Sequence, residues 1–291
     1  MSFSSARVLH LIPVSLGDAP VPSWLPEDVR VLAGQIQTYI VENAKTARAF
    51  LKQVGTISAL QDITIHTLSR DTSDETIAGW FNALPTDAAI GLVSEAGCPA
   101  VADPGAQAVH VAHQLGMRVK PWVGPSSILL GLMASGLSGQ QFAFHGYAPV
   151  NPGDRAKTLK AWEGQSAAQA QTQMFIETPY RNTPMFATLL TTLKGDTQLC
   201  VARSLTTADE YVKTLTVAQW KQRPPPDLDK QPTLFLFLAR PHGARSDAGA
   251  RLDKPRAEGR RSDGFAAAAP KPKPGRPNTG RPSPKKRSGH A

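Results

Sequence analysis

Short runs of Val, Ile and Leu alternate along most of the chain with helix-length segments whose apolar positions recur every three to four residues. The runs predict strands over 8–14, 38–41, 63–68, 88–94 and 118–123. Between them a helix is expected over 43–54, stopped by Gly55. Pro26, followed by Glu27 and Asp28, suits a helical first turn. Pro104 opens a helix that closes at Gly116, with Asp103 placed to cap it. The run GPSSILLGLMASG reads as a turn and an apolar helix. Strands separated by helices imply an α/β fold with a mostly parallel sheet covered on both faces.

The segment FAFHGYAPVNPGD runs into Pro and Gly, and the domain junction is expected there. A smaller unit follows, with helices over 155–162 and 183–193 and strands over 173–177, 197–203, 210–215 and 233–239. Several of these strands have no helix between them, which predicts a mixed sheet. The expected organisation is an N-terminal domain over 1–145, a C-terminal α/β domain over 146–242 and a disordered basic tail over 243–291.

Charge changes the picture only at the end. Net charge is +9, but residues 243–291 carry 13 Lys and Arg against 4 Asp and Glu, leaving 19 of each sign on the rest. The body is therefore formally neutral and the tail is a basic arm. Two cysteines, Cys98 and Cys200, cannot build a disulfide framework or a multi-cysteine zinc site. The first residues lack the pattern of a secretory signal, and no apolar run has the length of a membrane span. A cytoplasmic protein with no membrane association is expected.

The chain has no GxGxxG after a strand and no GxxxxGK[ST], HExxH or GxSxG, which argues against nucleotide hydrolysis, zinc proteolysis and serine-hydrolase chemistry. His110 and His113 share a helix face, but no third ligand is evident nearby and no metal is expected. More telling are the loops SEAGCP and GPSS, each following an apolar strand. Strand carboxyl ends in an open α/β sheet diverge into a crevice, and small residues let backbone approach a ligand. These loops and the one over 15–18 can form three walls of one pocket.

The runs LVSEAGCPAVADPG, VGPSSILLGLMASGL, FAFHGYAP and FIETPYRN, in that order, resemble the tetrapyrrole-methylase superfamily of S-adenosylmethionine-dependent methyltransferases. The similarity covers about 7–240 and is strongest to the branch that methylates a ribose 2'-hydroxyl in bacterial small-subunit ribosomal RNA. It implies a two-domain homodimer that holds S-adenosylmethionine between its domains. By position, it assigns cofactor contacts to Pro13, Gly17, Asp18, Ala96, Gly97, Cys98, Ser126, Ser127, Ile176, Pro232 and Thr233. The chain departs from the branch where PVSLGD replaces a Gly-Asn loop, Glu42-Asn43-Ala44-Lys45 replaces Glu-Asp-Thr-Arg, and Gln231-Pro232-Thr233 replaces Gly-Glu-Met.

A ribose hydroxyl is a weak nucleophile whose proton a nearby carboxylate can take, and Glu95 and Glu42 are the candidates. Glu95 can instead cap local amides, and Glu42 can pair with Lys45 or Arg48. Arg155, Lys157, Lys160 and Arg181 are the candidate substrate-binding cations. A neutral body with a basic arm suits ribosomal RNA or a small ribosomal subunit better than a small macrocycle. Methylation of a macrocycle or protein, and nucleic-acid binding without catalysis, are the competing readings.

Overall fold

The computed structural model describes residues 7–241. The expectation of a disordered tail over 243–291 lies outside the described residues. The α/β reading holds, and the strands form two sheets of five.

The first sheet contains β1 (Val8–Leu11), β2 (Thr38–Val41), β3 (Thr64–Thr67), β4 (Ala89–Val93) and β5 (Arg118–Pro121) in the order β3-β2-β4-β1-β5. Every pairing is parallel. Helices α1 (Glu27–Gln35), α2 (Ala44–Val54), α3 (Asp74–Asn82), α4 (Gly105–Gln114) and α5 (Ser127–Ser135) belong to the same half of the chain. One core joins Tyr39 and Val41 to Val29, Phe50 and Leu51. A second joins Leu9, Ile40 and Ile90 to Ile77, Phe81 and Val111, so apolar side chains cover both faces. This explains why the central strands read as continuous apolar runs.

The helix ends follow local chemistry. Asn43 accepts the Lys45 N–H at 2.9 Å to start α2, and Gly55 at φ +78° ends it. Helix α3 was not anticipated, although Ser73 caps it and Ile77 and Phe81 bury one face. Gly91 in β4 lies under the buried Tyr39 ring, and a Cβ there would stand 2.3 Å from Tyr39 Cε1. Gly91→Ala is therefore expected to cost about 1–3 kcal/mol, read from the urea midpoint, through overpacking of a rigid aromatic.

The second sheet contains β6 (Phe142–Tyr147), β7 (Thr172–Ile176), β8 (Gln198–Arg203), β9 (Tyr211–Thr216) and β10 (Thr233–Leu238) in the order β6-β7-β10-β8-β9. Strands β6 and β7 are parallel and the remaining pairs antiparallel, the mixed sheet expected from strands without intervening helices. Helices α6 (Pro152–Gln169) and α7 (Asn182–Thr192) and the short α8 (Val217–Trp220) accompany it.

Two elements differ from expectation. The run FAFHGY, read as the approach to a junction, is the edge strand β6; its register shifts between Phe144 and Tyr147, and Gly146 takes φ +67° there. Helix α6 extends well beyond the expected 155–162. Asn151 caps it by accepting N–H bonds from Gly153 and Asp154, with Pro152 in the first turn. Its later inward face is polar but paired. Glu163 accepts the Lys194 N–H at 2.8 Å and the Thr197 hydroxyl. The Ser166 hydroxyl donates to Gln171 O and accepts the Ala239 N–H. A hydrophobic pattern stops where such a face begins, although the helix does not.

Candidate active site

Neighbouring strands β4 and β1 send their connections in opposite directions, β1 toward β2 and β4 toward β5. Loops separate above such neighbours and leave a crevice at their carboxyl ends. The first loop was expected to continue a strand to Val14, but the regular pairing of β1 ends at Leu11. Val14 instead pairs with Gly97 through Val14 N–H to Gly97 O at 2.9 Å and Gly97 N–H to Val14 O at 3.2 Å. That antiparallel bridge ties the loop after β1 to the loop after β4. Gly97 can make it because its φ is +73°, a conformation that penalises other residues.

The loop after β4 continues with two non-glycine residues at positive φ, Ala100 at 65° and Ala102 at 64°. Asp103 holds this backbone, its Oδ1 accepting N–H bonds from Ala100 at 2.9 Å and Gly105 at 2.7 Å. Asp103 Oδ2 is buried without a partner. The Cys98 thiol donates to Pro125 O at 3.3 Å and so joins this loop to the one before α5. Burial raises the Cys98 pKa, which fits a pocket wall better than a nucleophile.

The crevice has two adjoining parts of about 270 Å³ each, which share Leu16, Ala96, Ser127, Tyr147 and Ile176. One part is acidic. Glu42, Glu95 and Asp103 line it with Gly97, Cys98 and Ser126. Burial pushes the Glu42 carboxyl above its ordinary value, Asp103 and Glu95 push it further, and a hydrogen bond from the Glu95 backbone partly offsets them. Asp103 is also raised by burial, against the pull of backbone N–H groups from Gly105, Ala100 and Val101. Ser126 is the N-cap residue of α5, yet its hydroxyl does not cap the helix.

The other part is apolar and is walled by Pro179, Ala202, Leu205 and Leu234, with Glu177, Pro232 and Thr233. Glu177 follows the end of β7 and is buried. Its Oε1 accepts N–H bonds from Thr178 at 2.7 Å, Arg181 Nε at 2.9 Å and Arg181 Nη2 at 2.5 Å.

Of the residues singled out in the sequence, Glu42, Glu95, Ala96, Gly97, Cys98, Ser126, Ser127, Ile176, Pro232 and Thr233 line this crevice. Pro13, Gly17 and Asp18 do not; their loop contributes Leu16. Pro13 is buried, and a Cβ on Gly124 would meet its ring at 2.2 Å. Gly17 lies against Thr207 Cγ2, and Asp18 is exposed. Sequence reasoning missed Leu16, Asp103, Tyr147 and Glu177 as lining residues. The bulge glycine before Tyr147 and the run of turn residues ending at Asp103 were the available signals.

The candidate substrate cations do not form one patch. Arg155 is buried, donating to Pro149 O at 3.1 Å and Val150 O at 2.7 Å. Arg181 is paired with Glu177. Lys157 and Lys160 are exposed on α6, and Lys160 borders a separate cleft with Glu163 and Lys194. Among the described residues no helix is long and apolar enough to cross a membrane.

No family model matches the chain. It is 36% identical over 135 residues to the ribosomal RNA small subunit methyltransferase I of Mesorhizobium japonicum, covering 46% of this chain and 45% of that protein. Against the protein of the same name from Vibrio cholerae it is 33% identical over 130 residues, covering 45% of this chain and 44% of that one. These matches thus span about half the length of the relatives. A longer match runs over 258 residues of the Xylella fastidiosa protein of that name at 28% identity, covering 89% and 88% of the two chains. Among solved structures, the methyltransferase CobJ superposes with a TM-score of 0.51 at 13% identity, covering 81% of this chain and 95% of that one, which is a likeness of fold. By sequence, then, the chain is a relative of proteins named ribosomal RNA small subunit methyltransferase I, and it is folded as CobJ is.

Proposed function

We propose that this protein is an S-adenosylmethionine-dependent methyltransferase acting on a ribose 2'-hydroxyl of small-subunit ribosomal RNA. The observation that carries this reading is the two-part crevice, apolar on one side and lined by carboxylates on the other, in a chain whose relatives bear that name. Close backbone approach at Gly97 and the unpartnered, buried Glu177 Oε2 suit an adenosyl ligand that brings its own hydrogen-bond donor. Ala96, Gly97, Ser126, Ser127, Ile176, Pro232 and Thr233 would hold it. When bound, the donor supplies a methyl group already activated by its sulfonium.

The chain then has to orient the nucleophile, keep water out and accept a proton. Glu42 is the proposed general base. It is half-buried, its pKa is raised toward the working range of a base, and the Glu95 backbone N–H holds its carboxylate. Glu95 is more exposed on the same wall and is the second candidate. Lys157 and Lys160 are the proposed phosphate contacts, exposed and free to move. The proposed partner is the small ribosomal subunit, met by a homodimer in the cytoplasm.

The test incubates labelled S-adenosylmethionine with small subunits from cells that lack this protein, followed by alkaline digestion of the RNA. The expected result is label in an alkali-resistant dinucleotide, because a 2'-O-methyl group blocks cleavage at that linkage. Label confined to a base, to ribosomal protein or to an added tetrapyrrole would overturn the substrate.

A further inference from the structure

We propose that Glu177 reads the adenine of the methyl donor, its Oε2 accepting a hydrogen bond from the exocyclic amine. This inference rests on the methyl-donor reading above. It begins with an asymmetry in a buried ion pair. A guanidinium usually meets a carboxylate fork to fork, one N–H to each oxygen. Here both Arg181 donors converge on Oε1, which also takes the Thr178 N–H. Oε2 is left buried with no partner. Glu177 is 4% exposed, so water does not compensate, and an unmet carboxylate oxygen is costly where it stands.

The neighbouring wall does not relieve it. Pro179, Ala202, Leu205 and Leu234 have no side-chain donor, and the Thr233 hydroxyl already donates to Gln231 O at 3.0 Å. The missing group must therefore come with a ligand, and it must be an N–H or O–H on an otherwise apolar body. Phosphate and carboxylate ligands are repelled by the same oxygen. A purine carrying an exocyclic amine has the required flat apolar faces and a single outward donor edge. A ribose hydroxyl shares the donor chemistry but carries a second polar group that the apolar wall does not match.

The pair also dictates what Glu177→Gln does. Three N–H donors converge on the Oε1 position, so the amide oxygen is held there and the amide NH2 takes the place of Oε2. An acceptor thus becomes a donor with little change of shape. The experiment is calorimetry on the full chain with S-adenosylhomocysteine, its inosine analogue, in which a carbonyl replaces the amine, and its 2'-deoxy analogue. Thermal denaturation of each variant runs alongside.

Wild type is expected to favour the adenosine over the inosine compound by about tenfold or more. In Glu177→Gln that preference should collapse or reverse, with the adenosine compound losing about tenfold and the inosine compound holding or gaining. An unchanged preference in the variant, with or without a lower Tm, makes Glu177 only a strut for Arg181 and overturns the proposal. Wild-type selectivity that fails with the 2'-deoxy analogue rather than the inosine one moves the contact to the ribose and overturns it equally. If wild type binds neither S-adenosylmethionine nor S-adenosylhomocysteine, the methyl-donor reading falls first and takes this inference with it.

Discussion

Gly97→Val is expected to remove cofactor binding from a protein that still folds. Gly97 sits at φ +73°, where L-residues pay about 1–2 kcal/mol and β-branched ones more. A Cβ there would also stand 3.2 Å from Leu16 Cδ2 and 3.5 Å from Pro125 O. The backbone can relieve that strain only by rotating away from its two bonds to Val14, and these bonds hold the loops after β1 and β4 together. Ala96 and Cys98 leave the wall with it, while the cores beneath the sheet do not contain Gly97. Calorimetry with S-adenosylmethionine should show a loss of about 100-fold or more, roughly 2.7 kcal/mol, with circular dichroism unchanged. Full affinity in a folded variant would take this loop out of the site.

Glu42→Gln is expected to slow methyl transfer by about 10²–10⁴-fold with cofactor affinity retained, the usual scale for removing a general base. The pH dependence carries the sign. Burial, Asp103 and Glu95 raise the Glu42 pKa, so wild-type kcat/KM should fall on acidification at a pH above the ordinary 4.5, and this limb should vanish in the variant. Stability moves the other way. A carboxyl whose folded pKa lies above its unfolded value favours the protonated state, so wild type loses stability as pH rises from 4.5 through the folded pKa. At neutral pH the uncharged Gln escapes that cost, and the variant should melt higher than wild type, with the difference closing in acid. A variant that keeps its rate would shift the role to Glu95.

The same carboxylates show where reading the chain ran short. Glu42 and Glu95 were visible as acidic residues at strand ends, but Asp103 was visible only as a helix cap. Its second oxygen faces no donor because the folded loop uses the first one for Ala100 and Gly105. Glu177 was passed over in favour of its neighbours Ile176 and Arg181, although the Arg181 guanidinium is occupied by it.

What the sequence determined by itself is everything that depends on neighbours along the chain. The apolar runs of β1, β2 and β4 specify buried parallel strands, Asn43 and Gly55 bound α2, and the Gly, Pro and Ser loops mark the strand ends where a crevice opens. What only the tertiary structure decided depends on partners far away in the chain. Gly97 meets Val14, Gly91 lies under Tyr39, Glu163 is satisfied by Lys194 and Thr197, and Leu16 rather than Pro13, Gly17 or Asp18 reaches the crevice. Hydrophobic periodicity records which face of an element is dry. It does not record which distant hydrogen-bonding group fills the fourth side of a carboxylate, and that is the information that separates a strut from a ligand contact.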